Sequence, residues 1–391
     1  MNSLPAVILC GVKEVSAFAL TDALIKENVK IYAFDTDRKA AGLFHPGISD
    51  HLIVDKLGYE AVERLIEFGH SHGQPVLFPL DDEMAQFISD HREMLAEGCI
   101  VFMPLKNILN STLDKFLTNK KLEELGFNVL PTIVCNSRED AEKFLFQYGY
   151  PAVIKKRFGS GGRQQTILHS ESDVETKLRP ETLGEDVILQ SWVPGPLTNL
   201  VTVAGIREKN GRISHLFSAR RLDVLQSKIY FQGVTTCVES TWNSELLEYA
   251  ADMMEKLELE GVYELEFKQS EVDNLFYLLE INPRFWAWVR LPIFCGNDFA
   301  KGYLLAALGR NDGTDWHSRR YRLSVMYWRF ILDVYSTLFQ LKNGKIGLLN
   351  AMNKLSKRLI RSFANPRNSF VEERLWRKET WYWIRYYLGV G

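Results

Sequence analysis

The sequence predicts a mixed α/β and α+β chain. A doubly wound βα domain covers residues 1–105, a larger α+β body covers 106–317, and a basic helical extension covers 318–391. Three observations carry this division. Short apolar runs alternate with helical spacings through the first hundred positions. Adjacent strand-like runs joined by hairpin signals occupy 200–282. Beyond Ser318 the composition shifts to 15 Lys/Arg against 4 Asp/Glu, and apolar residues recur at helical spacing.

In the first domain, Leu4–Leu9 reads as a strand running into Cys10-Gly11. Ala17, Leu20 and Leu24 then recur at i, i+3 and i+7, as on one helical face. Val29–Phe34 is a second strand, ending at Asp35. A helix with Val62, Leu65 and Ile66 leads to the strand Val76–Phe78. Asp81 or Asp82 is placed to cap a helix carrying Met84, Phe87 and Ile88. No GxGxxG follows the first strand, so dinucleotide binding is not indicated. Asp35 and Asp81-Asp82-Glu83 fall at carboxyl ends of strands, where such sheets bind ligands; the plain alternative for each is a helix cap.

The body opens with a helix from Asp114-Lys115 to Leu125-Gly126, then a helix around Ser137–Tyr148. Tyr150–Lys155 is a strand leading to Gly159-Ser160-Gly161-Gly162, a loop whose glycines let backbone N–H groups approach a phosphate. Val187–Val193 is a strand ending at Pro194-Gly195. The strands Leu200–Ile206 and Ile213–Arg221 flank Asn210-Gly211, a strong hairpin signal, and the second carries Arg220 and Arg221. Alternation allows only one of those arginines to face a given side. A helix from Asn243 to Leu257 follows.

The most telling stretch comes next. Val262–Lys268 alternates, with Leu265 and Phe267 on one face and Glu264, Glu266 and Lys268 on the other. The apolar run Leu275–Leu279 leads into Glu280-Ile281-Asn282-Pro283-Arg284, and Glu280 and Asn282 share a face. A turn centred on Asp273 sets Glu266 opposite Glu280, with Cβ atoms about 5 Å apart. Facing carboxylates repel unless a proton or cation lies between them. With the Asn282 amide oxygen they make an all-oxygen set of the kind hard Mg²⁺ favours when it also carries phosphates. A half-exposed hairpin with its acids in water is the alternative on spacing alone.

Glu264-Leu265-Glu266-Phe267 and Glu280-Ile281-Asn282-Pro283-Arg284-Phe285 resemble the paired metal strands of the ATP-grasp superfamily, in its branch similar to the carbamoyl-phosphate synthase large chain. The resemblance spans roughly residues 1–310. It implies an ATP-grasp fold of two α+β subdomains, with a lid over about 130–193, and a first domain that helps form the acceptor site. It also implies that ATP is bound through Lys115, Lys155, the loop glycines Gly159, Gly161 and Gly162, Gln190, and the main chain of Trp192 and Val193. Glu266, Glu280 and Asn282 would hold Mg²⁺ or Mn²⁺. Arg284 and Arg220 are assigned to the acceptor carboxylate and the transferring phosphoryl. The chain departs from the family at Lys156, which replaces a proline, at Ala287, and in lacking an acid for ribose after Gly195. The implied activity is ATP-dependent carboxylate–amine ligation through an acyl phosphate. Carboxyphosphate chemistry and a non-catalytic nucleotide-binding protein are the alternatives.

At 391 residues, with 46% hydrophobic and 25% charged content, the chain has the composition of a globular protein. Five scattered cysteines with no CxxC argue against a disulfide framework or a zinc site and for a reducing cytoplasm. No signal peptide or membrane span is expected. Residues 318–391 carry a net charge of +11 within a chain of net −2. That asymmetry suggests an anionic partner for the extension, a glycan, a lipid carrier or a membrane surface, with nucleic acid not expected; the plain alternative is a helical cap that packs its aromatics on the body. The small-molecule partners are a carboxylate and an amine, and a homodimer is left open. Trp328, Ile331, Leu332 and Tyr335, then Leu348, Met352 and Leu355, read as helices, and Trp376–Tyr387 interleaves aromatics with cations.

Overall fold

The structure, a computed structural model, describes residues 4–159, 165–179, 182–227, 231–311, 313–364 and 369–371. Among these, the strands form three sheets. The first contains β1 (Val7–Cys10), β2 (Ile31–Asp35), β3 (Ile48–Ile53) and β4 (Val76–Pro79), all parallel, in the order β3-β2-β1-β4. β1, β2 and β4 are buried along their whole length, as expected of parallel strands covered on both faces. β3 did not figure in the sequence reading. Its pattern, Ile-Ser-Asp-His-Leu-Ile, is half polar and half-exposed, as suits the edge position it takes.

A small antiparallel sheet follows: β5 (Thr132–Val134), β6 (Ala152–Lys156), β7 (Thr166–Leu168) and β8 (Val187–Ser191), in the order β5-β8-β6-β7. It has its own core around Phe144, Ile154 and Leu189. The helix Arg138–Tyr148 that covers it begins with a capping box between Ser137 and Asp140.

The large sheet runs β13-β12-β9-β10-β11-β14-β15. Its members are β9 (Leu200–Arg207), β10 (Ile213–Gln226), β11 (Phe231–Thr241), β12 (Gly261–Gln269), β13 (Phe276–Asn282), β14 (Met326–Trp328) and β15 (Ser369–Val371). The helix Phe299–Ala307 lies between this sheet and the parallel one. Its Tyr303 hydroxyl donates to the carbonyls of Leu77 and Phe102 at 3.2 and 2.6 Å. Phe78 stacks on Phe285 at 5.3 Å, and one continuous core joins the two sheets.

The extension is helical only in part. Trp328 belongs to β14, not to a helix, and β14 and β15 extend the large sheet beyond β11. The helix of that region is Phe330–Lys342, followed by Leu348–Ala364. The second of these turns three of its four cations inward. Lys354 meets Asp223 at 2.5 Å, Arg358 meets Asp223 at 2.8 Å and also contacts the fully buried Asp333, and Arg361 contacts Glu239. Leu349, Met352, Ile360 and Phe363 of the same helix face solvent. The aromatic stretch Trp376–Tyr387 lies outside the described residues. Among the described residues no helix is long and apolar enough to cross a membrane.

Candidate active site

β12 and β13 pair antiparallel, with Glu266 opposite Glu280 and Glu264 opposite Asn282. Nearer the turn the register differs: Phe267 faces Leu278 and Gln269 faces Phe276. The turn is therefore centred between Val272 and Asp273, and Leu279 is an extra residue, a β-bulge. Without it Glu266 would face Leu279, and Glu280 would point to the other side of the sheet. Bulges re-aim side chains in this way next to functional sites. The carbonyl of the bulged Leu279 accepts a hydrogen bond from Lys155 Nζ at 3.5 Å.

Cations gather round the two carboxylates. Lys115, first residue of a helix capped by Asp114, reaches Glu280 at 3.5 Å and also donates to the Gly159 carbonyl. Lys155 is buried and Lys156 exposed, so Lys155 is the one that enters the site. Arg157, next along, binds Asp114 at 2.6 Å and braces the helix that carries Lys115. Arg221 is 5% exposed and pairs with Glu266, while its Nε is enclosed without a hydrogen-bond partner among the described residues. Burial pushes the Glu266 carboxyl up to about 8; Arg221 opposes this and Glu280 adds to it. Burial, reinforced by Lys115, brings the Lys155 ammonium down to about 8.

Arg220 is corrected by the structure. Its side chain is 49% exposed and paired with Glu239 at 2.7 Å, away from the hairpin. Parity along β10 admits one arginine, and the buried one is Arg221. Arg284 lies at the site but is engaged: it meets Asp82 at 3.0 Å and Glu264 at 3.6 Å, and donates to the Asn282 amide oxygen at 3.0 Å. Asp82 thus ties the parallel sheet's helix Asp82–Asp90 to the hairpin. Asp81 caps that helix by accepting from the Met84 N–H at 2.7 Å, and it also pairs with Lys13. Asp35 accepts from the Lys13 and Asp37 N–H groups. Beside them Glu14 is raised to about 7 by burial, with Asp81 adding to the effect.

The carboxylates open onto a cleft of about 700 Å³, including space continuous with solvent, between the small and large sheets. One end is charged, with Lys155, Arg221, Glu266 and Glu280; the other is largely apolar, with Leu130, Val153, Val193 and Leu200. Gln190 lies on the wall and donates to the Thr132 hydroxyl at 2.9 Å. The Trp192 N–H is spent on the Pro151 carbonyl at 3.1 Å. Gly159 has a φ of +87°, the left-handed region that glycine tolerates, while Gly161 and Gly162 lie outside the described residues.

Two carboxylates and an amide oxygen fit a hard divalent ion that also carries phosphate, and the unpartnered Arg221 Nε fits an anionic oxygen beside it. Asn282 would first have to release Arg284. Among the described residues no group of three or more His, Cys, Asp or Glu is gathered to hold a metal by itself.

Residues 112–287 match the family model of the ATP-grasp domain. Pyruvate carboxylase of Bacillus subtilis (strain 168) is 23% identical over 265 residues, covering 65% of this chain and 23% of that protein. The carbamoyl phosphate synthase large chain of Thermoanaerobacter sp. (strain X514) is 23% identical over 181 residues, covering 44% and 16%. The chain thus spans less than a quarter of the length of these relatives. Among solved structures, the biotin carboxylase domain dimer of Hydrogenobacter thermophilus 2-oxoglutarate carboxylase, in complex with MgADP, ADP and bicarbonate, has a TM-score of 0.67 and 16% identity. The match covers 83% of this chain and 74% of that one. N5-carboxyaminoimidazole synthetase from Staphylococcus aureus, complexed with ADP, has a TM-score of 0.63 and 16% identity, covering 80% of each.

Proposed function

We propose that this chain, whose residues 112–287 form an ATP-grasp domain, is an ADP-forming ligase that uses MgATP to activate a carboxylate and join it to an amine. The observation that carries the reading is the Glu266–Glu280 pair, flanked by Lys115, Lys155 and Arg221 at the charged end of a cleft with an apolar far end. The apolar end suits a nucleobase and the charged end a triphosphate.

Glu266 and Glu280 would hold Mg²⁺, joined by Asn282 once Arg284 lets go of its amide oxygen. Bound there, the ion would neutralise charge on the phosphate oxygens. Lys115 and Lys155 would hold the phosphate chain, and Arg221 would present its free Nε to the transferring group. A carboxylate is a poor electrophile because its charge resists attack and oxide is a bad leaving group. Its oxygen attacks the γ-phosphorus, the bond to ADP breaks, and the product is an acyl phosphate. The amine nitrogen then attacks the acyl carbon, phosphate leaves, and the nitrogen gives up a proton. Positioning and charge neutralisation are the protein's share of this chemistry. Arg284, once free of Asn282, would fix the carboxylate from the position where it now meets Asp82.

A second reading has bicarbonate as the carboxylate, giving carboxyphosphate. It is favoured by relatives and structural neighbours that include carboxylases and a bicarbonate complex. An anionic acceptor engaged by the extension draws less support, because Lys354, Arg358 and Arg361 are already paired with Asp223, Asp333 and Glu239. The test is ADP release across a panel of carboxylates, bicarbonate and amines. Release that needs both a carboxylate and an amine supports ligation. Release with bicarbonate alone supports the second reading, and ADP formation under no combination removes both.

A further inference from the structure

Two residues beyond Glu266 on the same face of β12, about 7 Å along the strand, Lys268 enters the apolar end of the cleft. It is 6% exposed, and its ammonium sits over the Trp192 ring, 4.5 Å from the centroid. Its strand neighbours at this point are Leu200 and Tyr277, neither of which carries a charge. A buried ammonium is costly unless its donors find acceptors, and a ring face satisfies it only in part. An ammonium offers three donors and no acceptor. The ligand it suits is therefore one that brings acceptor atoms into an otherwise apolar slot.

We propose that Lys268 is a nucleoside-binding residue, clamped on Trp192 and donating to an acceptor on the base or ribose of the nucleotide. The inference rests on the nucleotide-binding reading above and deepens it. Charged donors at the phosphate end recognise any triphosphate, whereas a donor at the far end distinguishes one nucleoside from another. Purine ring nitrogens and ribose hydroxyl oxygens offer the same acceptor chemistry, and analogues separate them.

The experiment titrates MgADP into the full chain and into Lys268→Met and Lys268→Arg, with thermal unfolding of each free protein alongside. The parent is also titrated with 2′-deoxy-ADP, 3-deaza-ADP and 7-deaza-ADP. We expect Lys268→Met to weaken MgADP about tenfold or more, with the free protein unfolding no lower than the parent. The arginine variant should recover most of the loss, and one of the three analogues should bind the parent correspondingly more weakly. Lys268→Met binding MgADP within about twofold of the parent overturns the proposal. If that variant unfolds early, the analogues decide: equal binding of all three overturns it, and loss with one supports it. A parent that binds no MgADP at all overturns this inference and the nucleotide reading together, an outcome distinct from the others.

Discussion

Strand β10 takes part in two clusters of opposite charge, and one of them lines the cleft. At the hairpin, Arg221 pairs with Glu266 beside Glu280, Lys115 and Lys155, and the group faces the cleft. At the extension, Arg220 shares Glu239 with Arg361, and Asp223 joins Asp333 in binding Lys354 and Arg358. Both combine lysine and arginine with carboxylates. In the second cluster opposite charges satisfy one another and Trp328 Nε1 donates to Asp333 at 2.8 Å, which makes a clasp. In the first, carboxylates face each other, Arg221 Nε has no partner among the described residues, and the cleft opens onto the group. Buried charge becomes a candidate site where it is left partly unsatisfied at the edge of a cavity, and otherwise it is architecture.

The largest effect that would sharpen this contrast is on the clasp. Arg358→Ala leaves Asp333 buried with one cation fewer and should cost about 3–5 kcal/mol of stability, read by denaturant unfolding. The surviving folded molecules should bind MgADP as the parent does, and a matching loss of affinity would break the distinction. Glu280→Gln should do the reverse. It should lower ADP formation on the order of 10²–10³-fold, with unfolding of the free protein unchanged or shifted upward, because a repelling charge is gone. The arginine pair divides the same way. Arg221→Met should weaken ATP binding about tenfold or more, while Arg220→Met, half-exposed, should alter stability by less than about 1 kcal/mol and leave binding alone.

The last effect concerns Glu14 and is read through pH. Its carboxyl is raised to about 7, above its value in the unfolded chain, so the folded state holds its proton more tightly. Its contribution to stability is present below pH about 4.5 and is lost as pH rises through 7. Glu14→Gln should match the parent's melting temperature near pH 4 and exceed it at pH 8. Parallel pH profiles would contradict this.

Much of this contrast was legible in the sequence, through local rules. Alternation put Glu264, Glu266 and Lys268 on one face, and the structure agrees. A symmetric turn on Asp273 predicted the Glu266–Glu280 opposition. The same opposition arises from a turn half a residue earlier and the bulge at Leu279, so two offsets cancel. A bulge of this kind leaves no mark in an apolar run such as Leu275–Leu279. Choosing between Arg220 and Arg221 was beyond local reasoning, because alternation gives parity while the neighbouring strands decide which side holds the cleft. Register shifts between Arg221 and Val224 further disturb the pattern where Asp223 meets the clasp. Trp328 was misread for a related reason. Its spacing to Leu332 and Tyr335 is helical, yet pairing with Cys237, far off in sequence, holds it in a strand.

The most direct test of the central claim is calorimetric titration of ADP into the parent and into a Glu266→Gln/Glu280→Gln double variant, with Mg²⁺ and with a chelator. One nucleotide per chain bound by the parent in magnesium, weakened by the chelator and weakened likewise by the double variant, is the result the account predicts. No uptake by the parent in magnesium, or equal uptake by the double variant, would contradict it.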